Sequence, residues 1–249
     1  MPLGYAREHG ANFVTPNAWA AARARTARVE AHQSLDHQRL WADLMSSSAL
    51  AFNLFGDLAA DLLRADRAVH AWFPDAPGRV SDVRFAYSPG WLDPAYLNNL
   101  RSFDAAFLLN LHDGGKGIVA VDVNYRERNK DETPRPENLV RYTKVTRRSE
   151  AFASDALSAL KRRSDLCTMW LEHLLVHSML QHPSRTWTWG RCMVVHPAKN
   201  SDLVDTSNRY RAMLVDETTH ATLTLEQLLD TRALPRATST RLRDRYVPK

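Results

Sequence analysis

Two apolar runs with strand-like alternation, Ala105 to Leu111 and Ile118 to Tyr125, flank the sequence His112-Asp113-Gly114-Gly115-Lys116-Gly117. Its Asp-Gly and Gly-Gly pairs tolerate the positive φ of a tight turn, so the stretch reads as a β-hairpin. Upstream, ALAFNLFGDLAADLLRADRAVHAWF places Leu50, Leu54, Leu58 and Leu62 at helical spacing. That pattern predicts one long buried helix, introduced by Ser46, Ser47 and Ser48 and closed by Pro74 and Pro77. From Arg79 to Tyr87 the pattern changes to alternation through Val80, Val83 and Phe85, a first strand ended by Ser88-Pro89-Gly90. The segment from Trp91 to Leu100 connects it to the hairpin.

Beyond the hairpin, the polar stretch from Arg128 to Glu137 reads as an exposed loop. Helical patterns follow over Pro136 to Thr146, Asp155 to Arg163 and, most strongly, Asp165 to Gln181, where Leu166, Met169, Trp170, His173, Leu174 and His177 share one broad face. Arg185 to His196 reads as a strand ended by Pro197. The core order is therefore αβββαβ. Toward the N-terminus, Met1 to Pro16 looks irregular, Asn17 caps a helix running to about Ala31 with Trp19 as its apolar anchor and its arginines outward, and Ser34 to Leu44 is helical again. Toward the C-terminus, a helix over Leu203 to Leu214 precedes a short one capped by Thr224, with Gln227 reaching back, and a basic segment from Thr238 to Tyr246. There is no internal repeat and no dividing linker, which makes residues 1–249 one domain: a helical extension (1–45), a core (46–200) and a C-terminal helical part (201–249).

The composition, 44% hydrophobic and 24% charged, is that of a globular chain rather than a disordered one. A formal charge of +5, with Arg23, Arg25 and Arg28 near one end and Arg232, Arg236, Arg241, Arg243 and Arg245 near the other, suits a polyanionic partner such as DNA as well as an ordinary solvated surface. The two cysteines, Cys167 and Cys192, have neither zinc nor disulfide spacing, in keeping with a reducing cytoplasm. The apolar stretch Ala49 to Leu58 is interrupted by Asn53 and Asp57 and is too short to span a bilayer, and the N-terminus carries no leader-like apolar region; the expectation is a soluble cytoplasmic protein.

Candidate chemistry centres on the hairpin. Asp104 opens the first strand, and Asp122-Val123-Asn124 sets Asp122 and Asn124 on one face of the second. Antiparallel pairing brings Asp104 beside Asp122. Two such carboxylates are either solvated strand-end residues or the ligands of a hard divalent ion, Mg²⁺ or Mn²⁺, which relieves their repulsion. Other patterns have plainer readings. His173 and His177 stand at i, i+4, a zinc-compatible spacing, but the segment lacks the Glu of a metalloprotease helix and they read as core or rim histidines. Gly114 to Gly117 is a turn rather than a phosphate loop, and Trp187 and Trp189 read as sheet packing rather than base-stacking residues.

The element order and these hairpin residues resemble the PD-(D/E)XK nuclease superfamily, the restriction-endonuclease-like fold. More closely, Ser46 to Val247 resembles a bacterial family of restriction-endonuclease type, through SSSALAFNLFGDL, VRFAYSPGWLDPAYL, SFDAAF, VAVDVNYRE, MWLEHLL and RDRYV. The resemblance implies an α/β restriction-endonuclease-like core, a mixed sheet flanked by helices, with extra helices at both ends. It also implies metal-dependent hydrolysis of DNA phosphodiesters, in restriction or defence. Asp104 and Asp122 would be the metal ligands, Glu127 an auxiliary carboxylate, and Arg126, Arg128 and Lys130 contacts to the DNA backbone. Asn124 departs from the pattern: it stands where the superfamily has a lysine, and an amide orients water without supplying charge. Ala86, Ser48, Thr168 and Leu171 likewise replace polar family residues. The same resemblance therefore admits a second reading, a catalytically silent nuclease fold that binds DNA or a protein partner, and it leaves a homodimer open.

Overall fold

The computed structural model describes residues 2–28, 30–33, 35–126 and 132–247. A five-stranded sheet organises them: β1 (Gly78–Tyr87), β2 (Phe103–Leu111), β3 (Lys116–Val123), β4 (Trp187–His196) and β5 (His220–Thr224), adjacent in that order. β1, β2 and β3 form an antiparallel meander, whereas β4 joins β3 and β5 joins β4 in parallel. The helices are α1 (Leu3–His9), α2 (Pro16–Thr26), α3 (His37–Ala42), α4 (Ser47–Ala60), α5 (Leu62–Trp72), α6 (Leu139–Ser149), α7 (Ala156–Arg162), α8 (Ser164–Leu180), α9 (Ser201–Arg211), α10 (Leu225–Asp230) and α11 (Arg236–Tyr246). The αβββαβ order is carried by α4, the meander, α8 and β4.

The pleat sorts the strand residues into two cores. Ala105, Phe107, Leu109, Val119, Val121, Met193 and Val195 face a layer built on α4, α5, α10 and α11. Phe103, Ala106, Leu108, Ile118, Ala120, Cys192 and Val194 face α6, α7, α8 and α9. The second layer holds the chemistry, because the even-numbered positions of β2 and β3 point into it. α8 is its centre, buried at nearly every position from Leu166 to Met179.

Several expectations change. Met1 to Pro16 is not irregular throughout: it contains α1, which Gly10 ends in the left-handed conformation at φ 61°. α2 is capped by Thr15, whose side chain accepts from the Ala18 amide, and it stops at Thr26; Asn17 instead donates from Nδ2 to Asp57. Ala18 and Ala22, rather than Trp19, are its buried residues, since the backbones of α2 and α4 approach so closely at Gly56 that a Cβ there would lie 2.4 Å from Ala18 Cα. The long helix through Leu62 is two helices. Asp61 leaves the helical conformation and caps α5 through the Arg64 amide, which turns Leu63 out to solvent. β5 was missed, because its short run of half-buried residues lacks clean alternation. The Thr224–Gln227 capping box forms as expected.

The terminal arginines are partly structural. Arg25 does not point outward: it donates to the carbonyls of Phe85 at 2.8 Å and Ala86 at 3.1 Å. Arg241 and Arg245 donate to the carbonyls of Val14 and Asn12 at 2.7 and 2.8 Å, and Arg243 pairs with Asp230. Both chain ends thus meet on α4, where Asn53 donates to the Tyr246 hydroxyl and accepts from the Val14 amide. Among the described residues, no helix is long and apolar enough to cross a membrane.

Candidate active site

The hairpin register pairs Ala105 with Val121, and one further step sets Asp104 opposite Asp122. The Val123 amide donates to Asp104 Oδ2 at 2.8 Å, so the first carboxylate is fixed to the strand that carries the second. Asn124, just past β3, donates its side-chain amide to Asp122 Oδ2, while its backbone amide continues the ladder to the Val195 carbonyl at 2.8 Å. Asp104, Asp122 and Asn124 are partly buried and lie at the mouth of the α8 layer.

Glu172 completes the cluster. It sits in the middle of α8, only 5% exposed, and its carboxyl comes beside that of Asp122. One oxygen accepts from Arg101 at 3.0 Å; the other is buried within the cluster. Arg101 also pairs with Glu132, whose carboxylate accepts from Thr168 at 3.0 Å. Burial raises the Asp122 carboxyl above its ordinary value, a rise that the adjoining Asp104 and Glu172 carboxyls and the Arg101 charge oppose. Burial, and then the negative charge of Asp122, push Glu172 up much further. Of the two carboxyls, Glu172 is the one raised further, because burial and the neighbouring Asp122 charge both favour its neutral form.

The structure thus brings together Asp104, Asp122 and Asn124. Arg126, two residues beyond Asn124, is exposed, while Glu127, Arg128 and Lys130 lie outside the described residues. Glu172 and Arg101 were missed by the sequence reading. The signal for Glu172 was an acid in the middle of the apolar segment MWLEHLL, where a charge has no place without partners. Arg101 had no such signal, being one more polar residue before a strand.

A cleft of 340 Å³ is lined by Asn99, Arg101, Ser102, Glu132, Arg135 and Leu171 among others; it reaches the carboxylate cluster through Arg101, and Asp104 and Asp122 are not among its lining residues. A larger one of 660 Å³, between α2, α4 and β1, touches neither Asp104 nor Asp122. Along α6 and α7 a third cleft, of 490 Å³, is lined by Lys144, Arg147, Arg148 and Lys161 with no acidic residue.

His173 and His177 are core residues. Together with His220, Phe152 and Tyr210 they form a buried ring cluster, with His173 and His177 centroids 4.5 Å apart and His173 Nδ1 3.0 Å from the Tyr210 hydroxyl. Burial holds His177 and His220 down at about 4 and His173 well below its ordinary value, so all three are neutral near pH 7.

A sequence profile described as the PD-(D/E)XK nuclease superfamily matches residues 3–248. No curated protein and no solved structure matches the chain.

Proposed function

The chain belongs to the PD-(D/E)XK nuclease superfamily, and from that premise we propose that it hydrolyses DNA phosphodiesters with a divalent cation held at Asp104 and Asp122. The observation that carries this reading is the convergence of two strand-borne carboxylates on a third, buried one, Glu172. Such a cluster is short of positive charge, as the raised Asp122 and Glu172 groups indicate.

The donors fit a hard cation in kind. They are oxygens, in a partly buried place where an unneutralised carboxylate pair is costly. Among the described residues, no group of three or more His, Cys, Asp or Glu side chains is set to hold a metal. Two protein carboxylates, completed by water and phosphate oxygens, are the expected complement for Mg²⁺ or Mn²⁺. When bound, the ion supplies Lewis acidity and lowers the cost of forming hydroxide.

The chain's own groups do the rest. Asp104 and Asp122, cross-tied by the Val123 amide, fix where the phosphate meets the site. The Asn124 amide orients Asp122. In the reaction a water oxygen bonds to phosphorus as the bond to one deoxyribose oxygen breaks; the water proton passes to a carboxylate or solvent, and the leaving oxygen takes a proton in turn. The basic cleft of α6 and α7 suits the phosphate backbone by charge. A role in restriction or defence in the bacterial cytoplasm follows the family resemblance.

A second reading is favoured by one observation. Asn124 replaces the motif lysine and is already engaged with Asp122, as in a nuclease fold that has kept DNA binding and lost catalysis. Cleavage of supercoiled and phage DNA in Mg²⁺ and in Mn²⁺, beside the Asp104→Ala/Asp122→Ala double variant, separates the two. Cleavage by wild type alone supports hydrolysis; no cleavage, or equal cleavage by both proteins, defeats it.

A further inference from the structure

With an amide at position 124, the end of β3 that carries Asp122 brings no positive charge to a phosphate under attack. We propose that Arg101, which stands between the carboxylates and the 340 Å³ cleft, supplies it by contacting the scissile phosphate from the loop before β2. The inference deepens the hydrolytic reading and rests on it.

Four observations point to Arg101. It is the cation whose charge bears on both Asp122 and Glu172. Its side chain is only 16% exposed, yet it lines the cleft, so it reaches the carboxylate cluster from one side and a ligand space from the other. Its backbone is fixed: the Arg101 amide donates to Asn99 Oδ1 at 3.1 Å, and Asn99 donates to the buried Tyr142 hydroxyl at 3.3 Å. Finally, its two carboxylate partners differ. Glu172 is deeply buried, whereas the Glu132 side chain is 38% exposed and hangs from a loop residue at the cleft wall.

A guanidinium buried beside acids must be paired, and a phosphate offers the same two-oxygen face as a carboxylate. An incoming phosphate can therefore take the place of Glu132 while Glu172 keeps Arg101 aimed. Arg135, on the same cleft, adds attraction from solvent. Arginine stays protonated, so Arg101 exchanges no proton in the reaction; it stabilises charge, and the proton traffic is left to carboxylates and water.

The test compares wild type, Arg101→Met, Arg101→Lys and Arg101→Met/Asn124→Lys in single-turnover DNA cleavage, with thermal melting as a check of folding. Loss of a preorganised donor is expected to slow Arg101→Met by roughly 10²–10³-fold. Arg101→Lys should keep part of the rate, and the lysine at position 124 should restore at least about tenfold to the Met variant, because charge rather than position in the chain is what was lost. Arg101→Met cleaving within about threefold of wild type, or no rescue by Asn124→Lys in a protein that melts normally, overturns the proposal. Failure of wild type to cleave would instead defeat the hydrolytic reading, and inorganic phosphate then decides the present point. Millimolar phosphate should raise the melting temperature of wild type and not of Arg101→Met; equal shifts overturn the assignment of Arg101 to phosphate.

Discussion

Asp104 accepts a 2.8 Å hydrogen bond from the backbone amide of Val123, the residue that directly follows Asp122. One carboxylate thus serves as a strand-to-strand clasp and as half of a charged pair. The two roles separate by substitution. Asp104→Asn keeps an oxygen acceptor for the Val123 amide and loses the charge; Asp104→Ala loses both. The alanine variant should be less stable than the asparagine variant by about 1 kcal/mol, roughly 2–4 °C in melting temperature for a chain of this size. Both should lose the stabilisation that Mg²⁺ or Mn²⁺ gives wild type, which a melting series in increasing divalent ion measures directly. A metal response undiminished in Asp104→Asn would remove Asp104 from the ligand set.

Glu172 predicts a pH dependence above the ordinary carboxylate range. Its carboxyl is raised by burial and by Asp122, so the folded state holds the proton more tightly than the unfolded chain does. The stability this brings is full below the ordinary carboxylate range and is lost as pH rises through the raised value. Glu172→Gln keeps the shape and removes the titration. As pH rises above the ordinary carboxylate range, wild type without divalent ion should lose stability relative to Glu172→Gln, whose position 172 does not titrate. Added Mn²⁺ should flatten the wild-type curve, because a cation at Asp122 offsets the negative charge that helps to raise Glu172. Parallel curves for the two proteins would show that Glu172 does not titrate in this range.

The buried histidines give the opposite sign on the acid side. His177 and His220 are lowered to about 4 by burial, so protons bind the unfolded chain better. Stability from this source is complete above about pH 6.5 and is lost as pH falls toward 4, at about 1.4 kcal/mol per pH unit for each histidine while the unfolded form is protonated and the folded form is not. His220→Phe or His177→Phe, if the ring space is kept filled, should each reduce the acid slope by about that amount. Denaturant unfolding at a series of pH values provides the measurement.

The elements legible in the sequence were those with strong local periodicity. The hairpin around Gly114 and the helix through Trp170 each bury one face over many residues, and the pattern fixes both type and extent. The break at Asp61 was hidden because Leu62 continues a helical repeat while lying exposed, so that a capping side chain, not the apolar pattern, decides the boundary. The pairing of Asp104 with Asp122 could be read because antiparallel geometry is local to a hairpin. Glu172 and Arg101 are 71 residues apart and meet only through the packing of α8 on the sheet, which no local pattern encodes. The Arg-rich chain ends misled for a related reason: whether an arginine faces solvent or a carbonyl depends on what the fold brings to it.

That distinction among arginines yields a further prediction. Arg241 and Arg245 are spent on the carbonyls of Val14 and Asn12, whereas Lys144, Arg147, Arg148 and Lys161 are exposed around one cleft on α6 and α7 with no acid among its lining residues. The helix α6 also contributes Tyr142 to the cleft that holds Arg101, so a backbone lying along α6 would lead toward the carboxylates. Arg147→Ala/Arg148→Ala should weaken DNA binding similarly for unrelated sequences and reduce the slope of log affinity against log salt by about 0.9 for each phosphate contact removed. Melting should be nearly unchanged, since both side chains are in solvent. Arg241→Ala should do the reverse, lowering the melting temperature while leaving the salt slope alone. If instead the α6 variant binds DNA with an unaltered slope, the phosphate track runs elsewhere on the surface and this cleft is only a solvated helix face.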